Sequence, residues 1–204
     1  MNGMPVDLGT GETMIQSIGV IGAGQMGNGI AQVAACAGYD VVMIDIKDEY
    51  VEKGLSTIQF SLGKLVSKER MTQADADAAL ARIKTGTDRS MCADCDLVVE
   101  AVPEVLSLKQ DIFTELDSIC KPETILASNT SSISITTIAA STQRPERVIG
   151  MHFMNPVPIM KLVEIINGAD TSDATNSAVV EAAEKMGKTA LSCNDAPGFV
   201  SNRI

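Results

Sequence analysis

Ser17-Ile18-Gly19-Val20-Ile21-Gly22-Ala23-Gly24-Gln25-Met26-Gly27 is the stretch on which the fold turns. Residues 17–22 form a short apolar run, the pattern of a strand covered on both faces. Small and apolar residues then recur at helical spacing through residues 25–37 (Met26, Ile30, Val33, Ala34, Ala37), and Gly38 stops that helix. Val41-Val42-Met43-Ile44 reads as a second buried strand, ending at Asp45. Strand, helix and strand fit within about 30 residues, which demands a right-handed crossover between two parallel strands.

Further along, Val51, Leu55, Ile58, Leu62 and Leu65 place one apolar stripe on a helix over residues 48–70. A second short helix starts near Thr72, with Asp75 three residues on as a capping pair. The two helices, about residues 48–82, read as a helix-pair insertion in a minimal nucleotide-binding half. Strands then alternate with helices again. Strands are expected at 97–99, 124–127, 148–151, 161–166 and 189–192, and helices at 105–119, 134–140 and 173–186. Such alternation specifies an α/β fold, a doubly wound (Rossmann-type), mainly parallel sheet.

Residues 1–14 are Gly- and Thr-rich and are expected to form a flexible tail, with the folded domain over 15–193. Asp195-Ala196-Pro197-Gly198 reads as a helix start, and Phe199, Val200 and Ile204 then need a surface to pack against. Residues 194–204 are accordingly expected to be a linker and the opening turns of a helical C-terminal domain that is otherwise absent.

Composition narrows the function classes. With 16 basic against 26 acidic residues the net charge is −10, which argues against a nucleic-acid binder. No stretch approaches the ~20 apolar residues of a membrane span, and the N-terminus lacks the pattern of a secretory signal. Five cysteines (Cys36, Cys92, Cys95, Cys120, Cys193) have no scaffold-like spacing, so a reducing cytoplasm is the expected location. Cys92 and Cys95 form a lone C-x-x-C ahead of a strand, the wrong context for a redox centre, and no metal site is expected.

The G-x-G-x-x-G motif directly after a strand is the dinucleotide fingerprint. Gly22 permits the tight turn, Gly24 lets the backbone approach a pyrophosphate, and Gly27 allows close packing of helix on strand. Gln25 and Met26 open the helix whose N-terminus would face the phosphates. Asp45, about 20 residues beyond the motif, can accept both ribose hydroxyls and would repel a 2′-phosphate, so NAD is expected rather than NADP.

His152 is the only histidine and stands at the C-terminal end of a predicted strand, where open α/β sheets place ligands. Glu164 lies between Val163 and Ile165 in the next apolar strand, where an unpaired carboxylate is costly. The intervening loop could bring the two together as a general base and its orienting partner. On spacing alone, a hydrogen-bonded core pair explains them equally well.

Ala127-Ser128-Asn129-Thr130-Ser131-Ser132, then Gly150 to Pro158, then Lys161-Leu162-Val163-Glu164, and finally Pro197 to Arg203, resemble the 3-hydroxyacyl-CoA dehydrogenases over residues 16–204. The resemblance implies NAD-dependent, reversible oxidation of a (3S)-3-hydroxyacyl-CoA to a 3-oxoacyl-CoA. Its style resembles free-standing bacterial enzymes acting on 3-hydroxybutyryl-CoA. It assigns His152 as base and Glu164 as its partner, Ser131 and Asn202 as hydrogen-bonding groups for the substrate oxygen, and Asn155 as support for the same pocket. Asn129 and Glu104 would lie at the cofactor, although Glu104 could equally be a helix N-terminal acid favoured by the dipole. Ser61 and Lys68 match positions that contact the CoA moiety in the family, against the plainer reading of Lys53, Lys64, Lys68 and Arg70 as a solvated helix face. Met154 stands where many relatives carry Phe. A homodimer formed through the C-terminal domain is implied, and a chain lacking that domain is expected to bind NAD but turn over poorly. The rival expectations are a non-catalytic, crystallin-like dinucleotide binder or another two-domain hydroxyacid dehydrogenase.

Overall fold

The computed structural model describes residues 14–196 and Phe199. The expectations for the N-terminal tail, for the helix start at Pro197 and Gly198, and for Asn202 fall outside these residues, apart from Met14.

The glycine-rich stretch forms β1 (Ser17–Ile21) and α1 (Gln25–Cys36), and β2 (Asp40–Ile44) lies parallel to β1. Next come α2 (Asp48–Ser67), α3 (Gln73–Ala81) and β3 (Ile83–Gly86). β4 (Leu97–Glu100), α4 (Leu106–Ile119), β5 (Ile125–Ser128), α5 (Ile135–Ala139) and β6 (Val148–Phe153) continue the alternation. β7 (Leu162–Asn167), α6 (Asp173–Lys185) and β8 (Thr189–Asn194) complete it. Among the described residues, eight strands form one sheet in the order β3-β2-β1-β4-β5-β6-β7-β8. Every neighbouring pair is parallel except β6 and β7.

Side-chain alternation divides the core into two layers. Ile18 and Val20 of β1, Leu97 and Val99 of β4, and Ile149, Met151 and Phe153 of β6 face one layer, which α1 and α6 cover. Ile21, Val98, Leu126 and Val148 face the other, built with Ile112, Phe113 and Leu116 of α4. Each such side chain taken from water contributes about 1.5–3 kcal/mol. No helix among the described residues is long and apolar enough to cross a membrane.

Two features were not announced by the sequence. The expected helix pair forms the crossover from β2 to a short strand, β3, which was not foreseen. Its four residues, Ile83-Lys84-Thr85-Gly86, are only partly buried at the sheet edge and carry too little apolar pattern to announce a strand. The direction of β7 follows from its connection. Residues 154–161 are too few for a helical crossover, so the chain turns back and pairs antiparallel. The Thr72 cap forms as expected: its hydroxyl oxygen accepts from the Asp75 N–H at 3.1 Å and its O–H donates to the Asp75 carboxylate at 2.7 Å.

Candidate cofactor cleft and active site

A cleft of about 1040 Å³ opens at the C-terminal ends of β1, β2 and β4. The glycines build its floor. Gly22 has φ +104°, a conformation L side chains rarely adopt, and a Cβ there would stand 2.6 Å from the Ala101 carbonyl oxygen. At Gly27 a Cβ would stand 1.7 Å from the Gly22 carbonyl oxygen, so α1 can approach the turn only with glycine in place. Gly24 differs, for nothing in the chain lies within 4 Å of where its Cβ would be. It opens α1 with no side-chain cap and no acid in the first turn, leaving N–H groups free to meet an anion.

Asp45 sits at the rim with its two carboxylate oxygens accepting the N–H groups of Ala23 and Ile46, each at 2.7 Å. Its charge is thus fixed beside the glycine turn. Gln25 and Asn28 of α1 line the cleft, as do Tyr50 and Lys53 of α2 and Arg89 from the opposite wall. Met26 does not; it packs against the hydrophobic core.

His152 and Glu164 are register partners across β6 and β7 and therefore point to the same face of the sheet. The His152 Nδ1 stands 2.8 Å from Glu164 Oε2, with both side chains buried. A carboxylate at Nδ1 holds the proton on that nitrogen and leaves Nε2 as the basic one. The Phe199 ring lies 5.9 Å from the imidazole, centroid to centroid, tilted by 58°. Asn155, in the loop after β6, accepts through Oδ1 from Gln25 Nε2 at 3.1 Å, and so joins the end of β6 to the glycine-floored cleft. Asn129 accepts through Oδ1 from the Phe153 N–H at 2.9 Å and thereby ties the end of β5 to the end of β6.

Glu104 lies just ahead of α4 and faces the turn after β5. It precedes α4 rather than sitting in its first turn, and its carboxylate accepts from the Thr130 hydroxyl, at 2.8 and 3.0 Å to its two oxygens, and from the Ser131 N–H. Behind it lies a group that was not foreseen. Lys109 of α4 is buried, donates to Glu100 Oε1 at 2.6 Å and to the Val102 carbonyl at 3.2 Å, and lies 3.6 Å from Glu104. Glu100 also accepts from the Val102 N–H and the Ser128 hydroxyl, each at 2.6 Å. The available signal was an acid ending an apolar strand, as at Asp45.

Ser61 is half-buried on α2 and Lys68 is exposed where that helix ends. Phe60 on α2 is 65% exposed, with the Lys64 ammonium 4.3 Å from its ring centroid, so this helix offers an apolar and basic face beyond Lys53. Cys92 and Cys95 are free thiols packed in the core, and among the described residues no cluster suited to a metal occurs.

A glycine-floored cleft at the strand ends, with an acid at the end of β2, defines a doubly wound domain of the dinucleotide-binding class. Residues 17–196 match the family described as 3-hydroxyacyl-CoA dehydrogenase, NAD binding domain, and the chain belongs to that family. It is 60% identical to the probable 3-hydroxybutyryl-CoA dehydrogenase of Deinococcus radiodurans, over 91% of this chain and 66% of that protein. Identity to the human mitochondrial hydroxyacyl-coenzyme A dehydrogenase is 43%, over 94% and 63%. The crystal structure of (S)-3-hydroxybutyryl-CoA dehydrogenase from Ralstonia eutropha is similar with a TM-score of 0.91 at 50% identity, covering 93% of this chain and 67% of that one. The chain thus spans about two thirds of the length of these relatives.

Proposed function

We propose that this chain is the NAD-binding and catalytic part of an enzyme that interconverts (3S)-3-hydroxyacyl-CoA and 3-oxoacyl-CoA, with short substrates such as 3-hydroxybutyryl-CoA preferred. The observation that carries the reading is the buried His152–Glu164 pair at the C-terminal end of β6, linked to the glycine-floored cleft through the Asn155–Gln25 hydrogen bond. The relatives' names support the substrate class.

The glycine turn, Gln25 and Asp45 would hold NAD, with the α1 N-terminus facing its pyrophosphate. When bound, NAD supplies the hydride acceptor. In the oxidative direction, His152 Nε2 takes the proton of the substrate 3-hydroxyl. Glu164 keeps Nδ1 protonated and stabilises the imidazolium that forms. In reverse, the imidazolium returns that proton to the 3-oxo oxygen. Ser131 would hydrogen-bond the same oxygen, the resemblance assigns Asn202 the same part, and Asn155 would support the pocket. Glu104 would lie on the nicotinamide side with Asn129 nearby, and Ser61 and Lys68 would meet the CoA moiety. A homodimer and a cytoplasmic setting belong to the same proposal.

The test is NADH-dependent reduction of acetoacetyl-CoA by the full chain and its His152→Ala variant. Loss of about 10²-fold or more in kcat, with NADH binding retained, supports the assignment. Equal, measurable rates in the two proteins would remove His152 from the chemistry.

A further inference from the structure

We propose that Lys188 is a positioning residue whose buried ammonium clamps the β6–β7 loop and keeps His152 and Asn155 in place beside the cofactor cleft. The proposal rests on the dehydrogenase reading above. The loop, residues 154–161, joins the strand carrying His152 to the strand carrying Glu164. Its far side packs against little: the Ile159 and Met160 N–H groups close a turn on the Pro156 carbonyl at 3.0 Å each, but Pro158 is exposed, Ile159 is 75% exposed and Met160 is 40% exposed. Pro156 and Pro158 have no N–H with which to brace it.

Lys188 supplies what is missing. Although its side chain is buried, the Nζ donates to main-chain carbonyls, those of Val157 and of Met160 (2.9 Å), rather than to a carboxylate. Burial pushes its pKa below the usual lysine value, the mark of a charge held out of water for its hydrogen bonds. The clamp is itself anchored, since the Lys188 N–H donates to Ala183 at 3.0 Å and Thr189 donates to the Lys161 carbonyl at 2.7 Å.

From the clamped loop, two contacts run to the cofactor helix. Val157 seats against Gly29 of α1, where a Cβ would come within 2.8 Å of the Val157 Cβ. Asn155 meets Gln25 at the cleft. The loop therefore spans from α1 to the His–Glu pair, and the ammonium reads two of its carbonyls at once. Misplacement of a reacting group by about 1 Å costs up to ~10²-fold in rate, so such a brace bears on turnover more than on binding.

The experiment compares Lys188→Met, which fills the space without the charge, and Lys188→Arg, which restores a donor. Thermal melting, NADH affinity, kcat and KM for acetoacetyl-CoA, and the NMR signals of the His152 ring are measured on tag-free full chain. His152 is the only histidine, so its ring signals need no assignment. The expected result for Lys188→Met is a cooperative melt, retained NADH affinity, kcat lower by about tenfold or more with KM little changed, and split or broadened His152 signals. Lys188→Arg is expected to recover most of the rate and a single set of ring signals. A folded Lys188→Met protein with wild-type kcat and unaltered His152 signals overturns the proposal. So does parallel loss of melting temperature, NADH affinity and kcat, which would make Lys188 a matter of folding alone. If the wild-type protein fails to bind NADH, the functional reading fails by itself; if it binds NADH but turns over too slowly to measure, kcat drops out, and in either case the His152 signals of the two variants still decide the clamp.

Discussion

Glu100 Oε1 and Lys109 Nζ lie 2.6 Å apart with both side chains sealed from water. Removing one partner of such a pair strands a charge, at a cost of about 3–5 kcal/mol. Lys109→Met is therefore expected to lower the unfolding free energy by that order, measured by urea titration. Glu100→Gln combined with Lys109→Met is expected to be less destabilised than Lys109→Met alone, because the Ser128 hydroxyl can still donate to the Gln carbonyl. A double variant no more stable than Lys109→Met would show that the ion pair is not the source of the loss.

Gly24 and Gly27, three residues apart, are expected to fail in different ways when changed to alanine. At Gly27 the new methyl collides with the Gly22 carbonyl oxygen, so the turn must move and the melting temperature falls sharply. At Gly24 the methyl enters space that the chain itself leaves open, so the loss is limited to about 1 kcal/mol, that of placing alanine at a helix N-cap. NADH affinity should nevertheless drop, because that space is where the pyrophosphate would lie. Melting curves and NADH titration on both variants check the contrast. Unchanged NADH affinity in Gly24→Ala would place the phosphates elsewhere.

The difference between these glycines was legible in the sequence because backbone chemistry is local: strand, turn and helix lie within one short segment. The His152–Glu164 pair was legible for another reason, since both interrupt apolar strands that only a short loop connects. Lys109 and Lys188 were not. Each is a lysine in or beside an ordinary helix, where sequence predicts a solvated side chain, and only tertiary packing turns it inward. β3 escaped for a related reason, since an edge strand is fixed by its neighbour β2 more than by its own residues. The doubly wound sheet followed from alternation, but the antiparallel β7 depended on counting the residues of one loop.

Glu164→Gln preserves the size of the side chain and can keep one hydrogen bond to His152, yet it removes the charge that stabilises an imidazolium. Its expected signature is a fall in kcat of about 10²-fold or more, with the fold and NADH binding intact. Glu164→Asp would retain the charge but retract the carboxylate from Nδ1, and should fall between wild type and Glu164→Gln. Steady-state kinetics with acetoacetyl-CoA, alongside circular dichroism, distinguish these outcomes. A Glu164→Gln enzyme as fast as wild type would reduce the pair to a satisfied core contact.

Asp195 gives the acid limb of stability a named source. Burial alone would raise its carboxyl pKa. Hydrogen bonds from the Ser134 hydroxyl at 2.6 Å and from the Thr136 N–H and hydroxyl at 2.9 and 2.8 Å outweigh burial and hold it below the usual carboxylate range. A carboxyl with a depressed folded-state pKa contributes stability above its unfolded value of about 3.9, and that contribution is lost as pH falls through the folded value. Urea unfolding between neutral pH and about pH 3 should therefore show a shallower decline for Asp195→Asn than for wild type, from a lower starting stability. Since Asp195 ties the chain ahead of Phe199 to the start of α5, the same variant should loosen the Phe199 contact with His152 and lower kcat at neutral pH. Identical pH slopes in the two proteins would mean that Asp195 titrates alike in the folded and unfolded chain, and that its three hydrogen bonds contribute nothing to acid sensitivity.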